Sequence, residues 1–211
     1  TPILQLEGEA ATLLSIERTL LNLLSRMSGI ATATNLQVEK IRKAGYKTRV
    51  ASTRKIAPGL GYFDKKAVMI GGGDPHRWGL DDMILVKDNH IAIAGDIAEA
   101  VRRVRKNVSF SKKIEAEVAR IDGVLEAAQS GVDIVMLDNF TPKQAKEAIE
   151  ILEKKQLRAR LLLEASGGIT EQNILEYAAA GVDIVSLGEI THSSRAFDLS
   201  LEITGVKKSQ G

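Results

Sequence analysis

The chain has 211 residues, with 29 Lys and Arg against 27 Asp and Glu and a formal net charge of +2. Its 44% apolar and 27% charged residues are the composition of a folded globular chain, long enough for one sizeable domain. The absence of Cys excludes disulfides, thiolate metal sites and a Cys nucleophile. Aromatic residues at 4% argue against a platform for stacked bases. No apolar run approaches the roughly 18 residues of a membrane span, and the N-terminus does not read as a signal peptide. The near-balanced charge suits an anionic small molecule as well as it suits nucleic acid.

In chain order, residues 1–15 alternate loosely and give way to a helical pattern at Ile16, Leu20, Leu23, Leu24 and Met27, which Gly29 is expected to end. A second helix is expected at about 33–44, with Leu36, Ile41 and Ala44 on one side and Gly45 as its stop. Strand-like runs follow at Val50-Ala51, Met83–Val86, Ile114–Val118, Val132–Leu137, Leu161–Leu163 and Ile184–Leu187. Helical patterns separate the later ones at about 96–106, 121–130, 142–155 and 171–180. Apolar runs alternating with helices predict parallel strands covered by helices.

Helix boundaries agree. Thr141-Pro142-Lys143-Gln144 reads as an N-cap, a proline at the first helical position and a glutamine that closes a capping box. Gly131 and Gly181 stand where a left-handed C-terminal residue is expected. The segment Gly131-Val132-Asp133-Ile134-Val135 is echoed by Gly181-Val182-Asp183-Ile184-Val185, the rhythm of a β/α barrel unit. A complete eight-unit barrel takes about 250 residues. Six strands therefore predict an α/β fold, an open or incomplete TIM-like barrel, with a doubly wound sheet as the alternative. The Gly-rich dinucleotide fingerprint of the latter is missing.

Function in such a barrel lies at the C-terminal strand ends. There the sequence places Arg54 and Lys55, Lys87 with His90, Asp138 with Asn139, Ser166-Gly167-Gly168, and Gly188 with His192. Glu115 and Glu117 are two apart within one strand and so share a face. Backbone N–H groups in glycine turns bind phosphate, and carboxylates such as Glu117 and Asp138 suit Mg²⁺, which prefers oxygen ligands. Together with His76 and Arg77 these groups point to a phosphorylated, strongly anionic substrate. The basic cluster Arg102, Arg103, Arg105 and Lys106 reads as a solvent-facing helix surface. No zinc-type spacing is present, and Ser166 lacks a nucleophile elbow.

The same residues carry a family resemblance. Glu17–Leu24, Ser28–Thr32, Thr53-Arg54-Lys55 with Pro58-Gly59-Leu60, Gly71–Gly73, His76-Arg77, Lys87–His90, Glu115–Glu117, Leu137–Asn139, Glu164–Ile169 and Gly188 with Ile190–Ser193 follow one another as in the quinolinate phosphoribosyltransferases. The resemblance implies a two-domain subunit. Residues 1–12 would be the tail of an N-terminal α/β sandwich mostly absent here, and 13–45 helices linking the domains and contributing to a dimer interface. Residues 46–200 would be the catalytic barrel, and 201–211 a C-terminal tail. It implies a homodimer, or an assembly of dimers, with shared active sites, a cytoplasmic location, and no nucleic-acid or membrane partner.

The expected reaction moves the phosphoribosyl group of phosphoribosyl pyrophosphate to quinolinate with loss of CO2, using Mg²⁺ and no organic cofactor. By resemblance, Arg18 (from the partner subunit), Arg54, His76, Arg77 and Lys87 bind quinolinate, and Lys55, Lys87, Glu117 and Asp138 are catalytic. Glu117 and Asp138 hold the metal, and Ser166, Gly167, Gly168, Gly188 and His192 cradle the 5′-phosphate. Ile56 and Ala57 replace the family's usual threonines, Gly61 its usual arginine and Asp64 a common glutamate. Those departures leave nicotinate open as an alternative acceptor. A noncatalytic phosphate-binding barrel and a sugar-phosphate aldolase or isomerase, with Lys87 as a Schiff-base lysine, are the other readings.

Overall fold

The computed structural model describes residues 1–207, so the end of the expected C-terminal tail, 208–211, lies outside the described residues. Six parallel strands form one sheet: β1 (Arg49–Ala51), β2 (Ile84–Val86), β3 (Ile114–Val118), β4 (Ile134–Asp138), β5 (Leu162–Ser166) and β6 (Ile184–Ser186). Their order is β1-β6-β5-β4-β3-β2, every pair parallel. β1 and β2 are therefore the two free edges, and the barrel is open between them. The chain segment after Gly73 fills that opening beside β1, where Asp74 bridges Ala51. The N–H of Asp74 donates to Val50 at 2.8 Å, and the N–H of Ser52 donates to Asp74 at 3.0 Å.

Side chains alternate across each strand, and the two faces differ in chemistry. One set, including Val50, Val86, Ile114, Ala116, Val135, Leu137, Leu163, Ala165 and Val185, joins the apolar core beneath the helices. The other set carries Glu115, Glu117, Met136, Asp138, Glu164, Ser166 and Ser186 into the barrel. The core is thus a shell between strands and helices, while the barrel interior holds the strand carboxylates beside Ile134, Leu162 and Ile184.

The covering helices are α4 (Ile97–Asn107), α5 (Ile121–Gln129), α6 (Pro142–Lys154) and α7 (Ile174–Ala180), with a 3-10 turn at Arg158–Arg160. Their caps follow the sequence. Asp96 accepts from the N–H of Glu99, Thr141 and Gln144 close the expected box, and Gly131 and Gly181 have φ of 81° and 98°. The repeated aspartates have a structural task. Asp133 accepts from the N–H of Ile114 at 2.8 Å and Asp183 from the N–H of Leu163 at 2.7 Å. Each thereby occupies an orphan donor near the start of the neighbouring strand, and Arg105 and Arg158 pair with them in turn.

The N-terminal region departs from the expected two helices. α1 (Ala10–Lys43) is a single helix of 34 residues. Gly29 lies inside it because a Cβ there would collide with the carbonyl of Arg195. The glycine admits the C-terminal strap, whose Phe197 N–H donates to Ser25 at 3.0 Å. Close packing here outweighs the roughly 1 kcal/mol that glycine costs a helix. The buried positions of α1 are Leu21, Gly29, Ile30, Thr34, Gln37 and Ile41, whereas Leu36, expected on the same side as Ile41, is 58% exposed. Three helices escaped the apolar pattern: α2 (Gly61–Ile70), α3 (Asp88–Ala94) and α8 (Glu189–His192). The last two are short, and α2 buries Asp64 and Lys65, so its inward face is not apolar.

α2 packs against α1 through glycine. A Cβ on Gly71 would overlap the Ala31 carbonyl and come within 2.7 Å of Thr34 Cβ. Gly71→Ala is expected to lower stability by about 1–3 kcal/mol through this overpacking, a loss that urea unfolding would register at unchanged slope.

Candidate active site

The C-terminal strand ends and the segment closing the β1–β2 opening bring most of the sequence-expected residues to one end of the barrel. Glu117 ends the inward row of β3 and accepts from Lys87 Nζ at 3.0 Å. Asp138 ends β4, and its Oδ2 accepts from the Asn139 side chain at 2.9 Å. Asn139 has φ of 56°, and its N–H donates to the Ser166 carbonyl at 2.8 Å, which ties the β4 and β5 ends together.

After β5, Gly167 and Gly168 have φ of 88° and 65°. A Cβ on Gly167 would strike the Asn139 side chain, so both backbone conformation and space require glycine there. Among the described residues, the backbone N–H groups of Gly167, Gly168 and Gly188 donate to no protein acceptor. The Lys55 side chain and the His192 ring close over Gly188, each 3.1 Å from where its Cβ would stand. Thr191 Oγ1 fastens this corner by donating to the Lys55 carbonyl at 2.8 Å. Free N–H groups beside a lysine and a histidine are a donor set that could receive an anion.

Arg54 and Arg77 supply further cations, close enough to repel each other. Among the described residues, neither guanidinium makes a hydrogen bond or ion pair. Arg77 is only 8% exposed. Its pKa is lowered by burial first and by repulsion from Arg54, against attraction from Glu115, Glu117 and Glu164.

Inside the barrel lies a group that the sequence placed only in part. Glu115 and Glu164 are both fully buried. Glu164 accepts from the Ser186 hydroxyl at 2.6 Å and meets His76 Nε2 at 3.0 Å, and Glu115 lies 3.7 Å from the same nitrogen. His76 Nδ1 accepts from the N–H of Arg77 at 2.8 Å. Both ring nitrogens are thus engaged within the protein, in a residue held at φ of 53°. His76, Glu115 and Glu164 offer three ligand atoms within 4.8 Å of one another, a cluster that could hold a divalent cation. Glu115 and Glu164 sit mid-strand; a two-residue phase with Glu117 and Ser166 is the signal that marks them as inward, but the run expected at Leu161–Leu163 stops short of Glu164, whereas β5 extends to Ser166. A cavity of about 270 Å³ reaches His76, Arg77 and Glu164 and is also lined by the strand-start residues Arg49, Lys113, Leu162 and Ile184.

Other histidine and arginine positions are structural or peripheral. His90 Nδ1 accepts from the N–H of Lys87 and caps α3. Arg18 is exposed on α1 and does not belong to the ring of strand ends. The departures from the family pattern fit one another. Ile56 occupies the space where a Gly61 side chain would begin, 2.6 Å from the built Cβ. Asp64 is fully buried and receives a two-pronged ion pair from Arg26 at 2.7 Å, together with the N–H of Ala57. Arg26 also donates to the Thr191 carbonyl at 3.0 Å, so this pair supports the phosphate corner.

Comparison with known proteins agrees with this arrangement. The profile of the family described as quinolinate phosphoribosyl transferase, C-terminal domain, matches residues 30–202. Across 97% of its length the chain is 52% identical to a probable nicotinate-nucleotide pyrophosphorylase [carboxylating] of Methanothermobacter thermautotrophicus. It is 38% identical over 95% of its length to the human nicotinate-nucleotide pyrophosphorylase [carboxylating]. Among solved structures, that of the Francisella tularensis nicotinate-nucleotide pyrophosphorylase superposes over 92% of the chain with a TM-score of 0.83 and 42% identity. NadC from Streptococcus pyogenes gives the same TM-score at 39% identity. The chain spans 74% of the archaeal relative, 67% of the human one and 66% of each of those two solved chains. It is a phosphoribosyl-transferring barrel by class. The chain belongs to the quinolinate phosphoribosyltransferase family, among relatives named carboxylating nicotinate-nucleotide pyrophosphorylases.

The buried acid pair sets a pH dependence. Burial first, then the charge and hydrogen bond of Glu164, push the Glu115 pKa up to about 9, against an ordinary 4.5. As an anion Glu115 has no hydrogen-bond partner for either oxygen; as an acid it can donate to Glu164. Between those pKa values the folded state binds a proton that the unfolded chain releases, so stability falls as pH rises through that window. Glu115→Gln is expected to flatten this slope and to raise stability at its alkaline end. Urea unfolding at several pH values between about 5 and 9 checks it, and an unchanged slope contradicts it.

Proposed function

We propose that the protein transfers the 5-phosphoribosyl group of phosphoribosyl pyrophosphate to the ring nitrogen of quinolinate. Pyrophosphate and CO2 leave, and nicotinate mononucleotide remains, a step of NAD biosynthesis. The observation that carries this reading is the joint presence at the strand ends of two neighbouring guanidiniums, Arg54 and Arg77, unpartnered among the described residues, and of the free N–H groups of Gly167, Gly168 and Gly188. A dicarboxylic acid answers the first, since a guanidinium fork binds a planar carboxylate through two parallel hydrogen bonds. A sugar phosphate answers the second. The inward carboxylates suit the ribose.

In this reading Arg54 and Arg77 hold the two carboxylates of quinolinate and orient its nitrogen toward the anomeric carbon. Arg18 reaches the site of a neighbouring subunit, in keeping with its exposed place on α1. His76 acts on the diacid through its contact with Glu164 and its hold on the Arg77 backbone. Ser166, Gly167, Gly168, Gly188 and His192 receive the 5′-phosphate. Glu117 and Asp138 face the ribose, whose carbon becomes cation-like as the bond to pyrophosphate breaks, and their negative charge favours that state. Lys55 and Lys87 stabilise the negative charge gathering on the leaving group.

The donor set fits magnesium at Glu117 and Asp138 better than at the buried cluster. Mg²⁺ takes carboxylate oxygens with water and substrate phosphates, whereas the buried cluster includes an imidazole. Glu117 and Asp138 would hold Mg²⁺ between them, a source of charge neutralisation for the departing pyrophosphate. After transfer the ring nitrogen is quaternary. The electron pair of the bond between the ring and the adjacent carboxylate then passes to the ring carbon as CO2 departs, and that carbon takes up a proton.

On the same reading residues 1–12 end a preceding domain, 13–45 link it to the barrel and line a homodimer interface, 46–200 are the catalytic unit and 201–211 its tail. Exposed Leu14 and Ile16 support that use of α1. None of the helices among the described residues is long and apolar enough to cross a membrane, which is in keeping with a cytoplasmic location.

The test is an assay for nicotinate mononucleotide with phosphoribosyl pyrophosphate, Mg²⁺ and either quinolinate or nicotinate. Product from quinolinate alone is expected. Arg77→Ala should lower kcat/KM for quinolinate about 30- to 1,000-fold, or about 2–4 kcal/mol, because a desolvated carboxylate loses its partner. Product from nicotinate alone would move the protein to the sister activity, with Gly61 as the first residue to examine. Unchanged quinolinate turnover in Arg77→Ala would overturn the assignment of that residue.

A further inference from the structure

Lys65, on α2, is among the largest fully buried side chains, at 1% exposure. No carboxylate pairs with it among the described residues. Its ammonium instead reaches the Pro75 carbonyl at 2.5 Å, the Thr53 carbonyl at 3.4 Å and the Ser52 hydroxyl at 3.5 Å. Those three oxygens belong to two separate backbone segments. Ser52 and Thr53 follow the end of β1, at the open edge of the barrel. Pro75 lies in the segment that fills the opening. The Ser52 hydroxyl also donates to the Pro75 carbonyl at 2.9 Å, which completes the knot.

Each tied segment continues directly into a cation of the candidate diacid site. Arg54 follows Thr53, and His76 and Arg77 follow Pro75. β1 and β2 do not pair, and the sheet ties the filling segment to β1 only through the single Asp74 bridge and its two backbone hydrogen bonds. We infer that Lys65 is a positioning residue for the acceptor acid. It holds Arg54 at a set distance from His76 and Arg77, and it places a buried positive charge behind the two arginines.

The surrounding charges are consistent with that role. Burial lowers the Lys65 pKa, and Arg54 and Arg77 lower it further, while Asp74 and Asp82 oppose them. A knot of backbone oxygens alone could be closed by a neutral donor. A cation kept beside two other cations despite their repulsion makes this wall of the site more positive than the arginines alone, which favours a doubly charged ligand. Among the described residues Lys65 touches no group of the phosphate cradle directly; its one link to that side is Thr53, whose hydroxyl accepts from the Lys55 N–H at 3.1 Å, so its influence falls mainly on the acid side.

This inference rests on the proposed reading of the site, and one experiment separates the two. Quinolinate, without phosphoribosyl pyrophosphate, and phosphoribosyl pyrophosphate alone are each titrated calorimetrically into the unsubstituted protein, Lys65→Met and Ser52→Ala, with circular dichroism and melting curves as the control for folding. Lys65→Met is expected to bind quinolinate about tenfold or more weakly and phosphoribosyl pyrophosphate within about threefold of the unsubstituted protein. Ser52→Ala should shift the diacid in the same direction by about threefold. Should Lys65→Met fail to fold, Ser52→Ala decides alone. Equal losses for both ligands, or unchanged quinolinate binding in the folded variant, overturn the positioning role. Failure of the unsubstituted protein to bind quinolinate overturns the functional reading itself, and this role with it.

Discussion

Everything in this molecule depends on the two-residue period of six short parallel strands. Along each strand one face is apolar and sinks into the helical layer, while the other turns polar groups into the barrel. Every carboxylate of the six strands lies on the inward face. Ile114, Ala116 and Val118 join the core, whereas Glu115 and Glu117, between them, point inward with Met136 and Glu164 across the register. A shift of one residue in β3, β4 or β5 would put carboxylates under the helices and apolar side chains in the site, so the hydrophobic shell also enforces the chemistry of the interior.

Interior carboxylates have to be neutralised from within. Glu115 and Glu164 are too close and too deeply buried for both to carry an uncompensated charge. His76, Ser186 and a proton on Glu115 answer this, and Arg77 adds attraction from nearby. The same arrangement explains why His76 takes a left-handed backbone. Its ring must reach down to Glu164 while its Nδ1 receives the next N–H, and that turn carries Arg77 toward Arg54.

The open edge lacks strand pairing, and the candidate site is built beside it. Six strands do not close the barrel, so side chains from helices perform the closure. Lys65 ties the end of β1 to the filling segment. Arg26 and Asp64 tie α1 and α2 to the corner around Thr191 and Lys55. Both connections use a buried charge on α2, Lys65 in the first and Asp64 in the second, and each ends at one side of the mouth. The family departures at 56, 61 and 64 fall within this region and compensate one another: Ile56 fills the space that Gly61 leaves, and Asp64 keeps its arginine.

Much of this was legible in the linear sequence. The six strands, the helices of the later units, the capping box at Thr141 and the left-handed glycines 131 and 181 follow from local periodicity and turn chemistry. Those signals lie within a few residues of their effect. The strand-end residues Lys87, Glu117, Asp138 and Ser166 were legible for the same reason. What only the tertiary structure decided are pairings between distant segments: Gly29 admitting Arg195 rather than ending a helix, Asp64 with Arg26, Glu164 with His76, and Lys65 with Pro75 and Thr53. A buried charge in a sequence looks like any exposed one, because its burial is a property of its neighbours. Period and capping chemistry determined the strands, the later helices and the mouth; the packing of α1, α2 and the filling segment around an unclosed edge decided which charges support that mouth from inside.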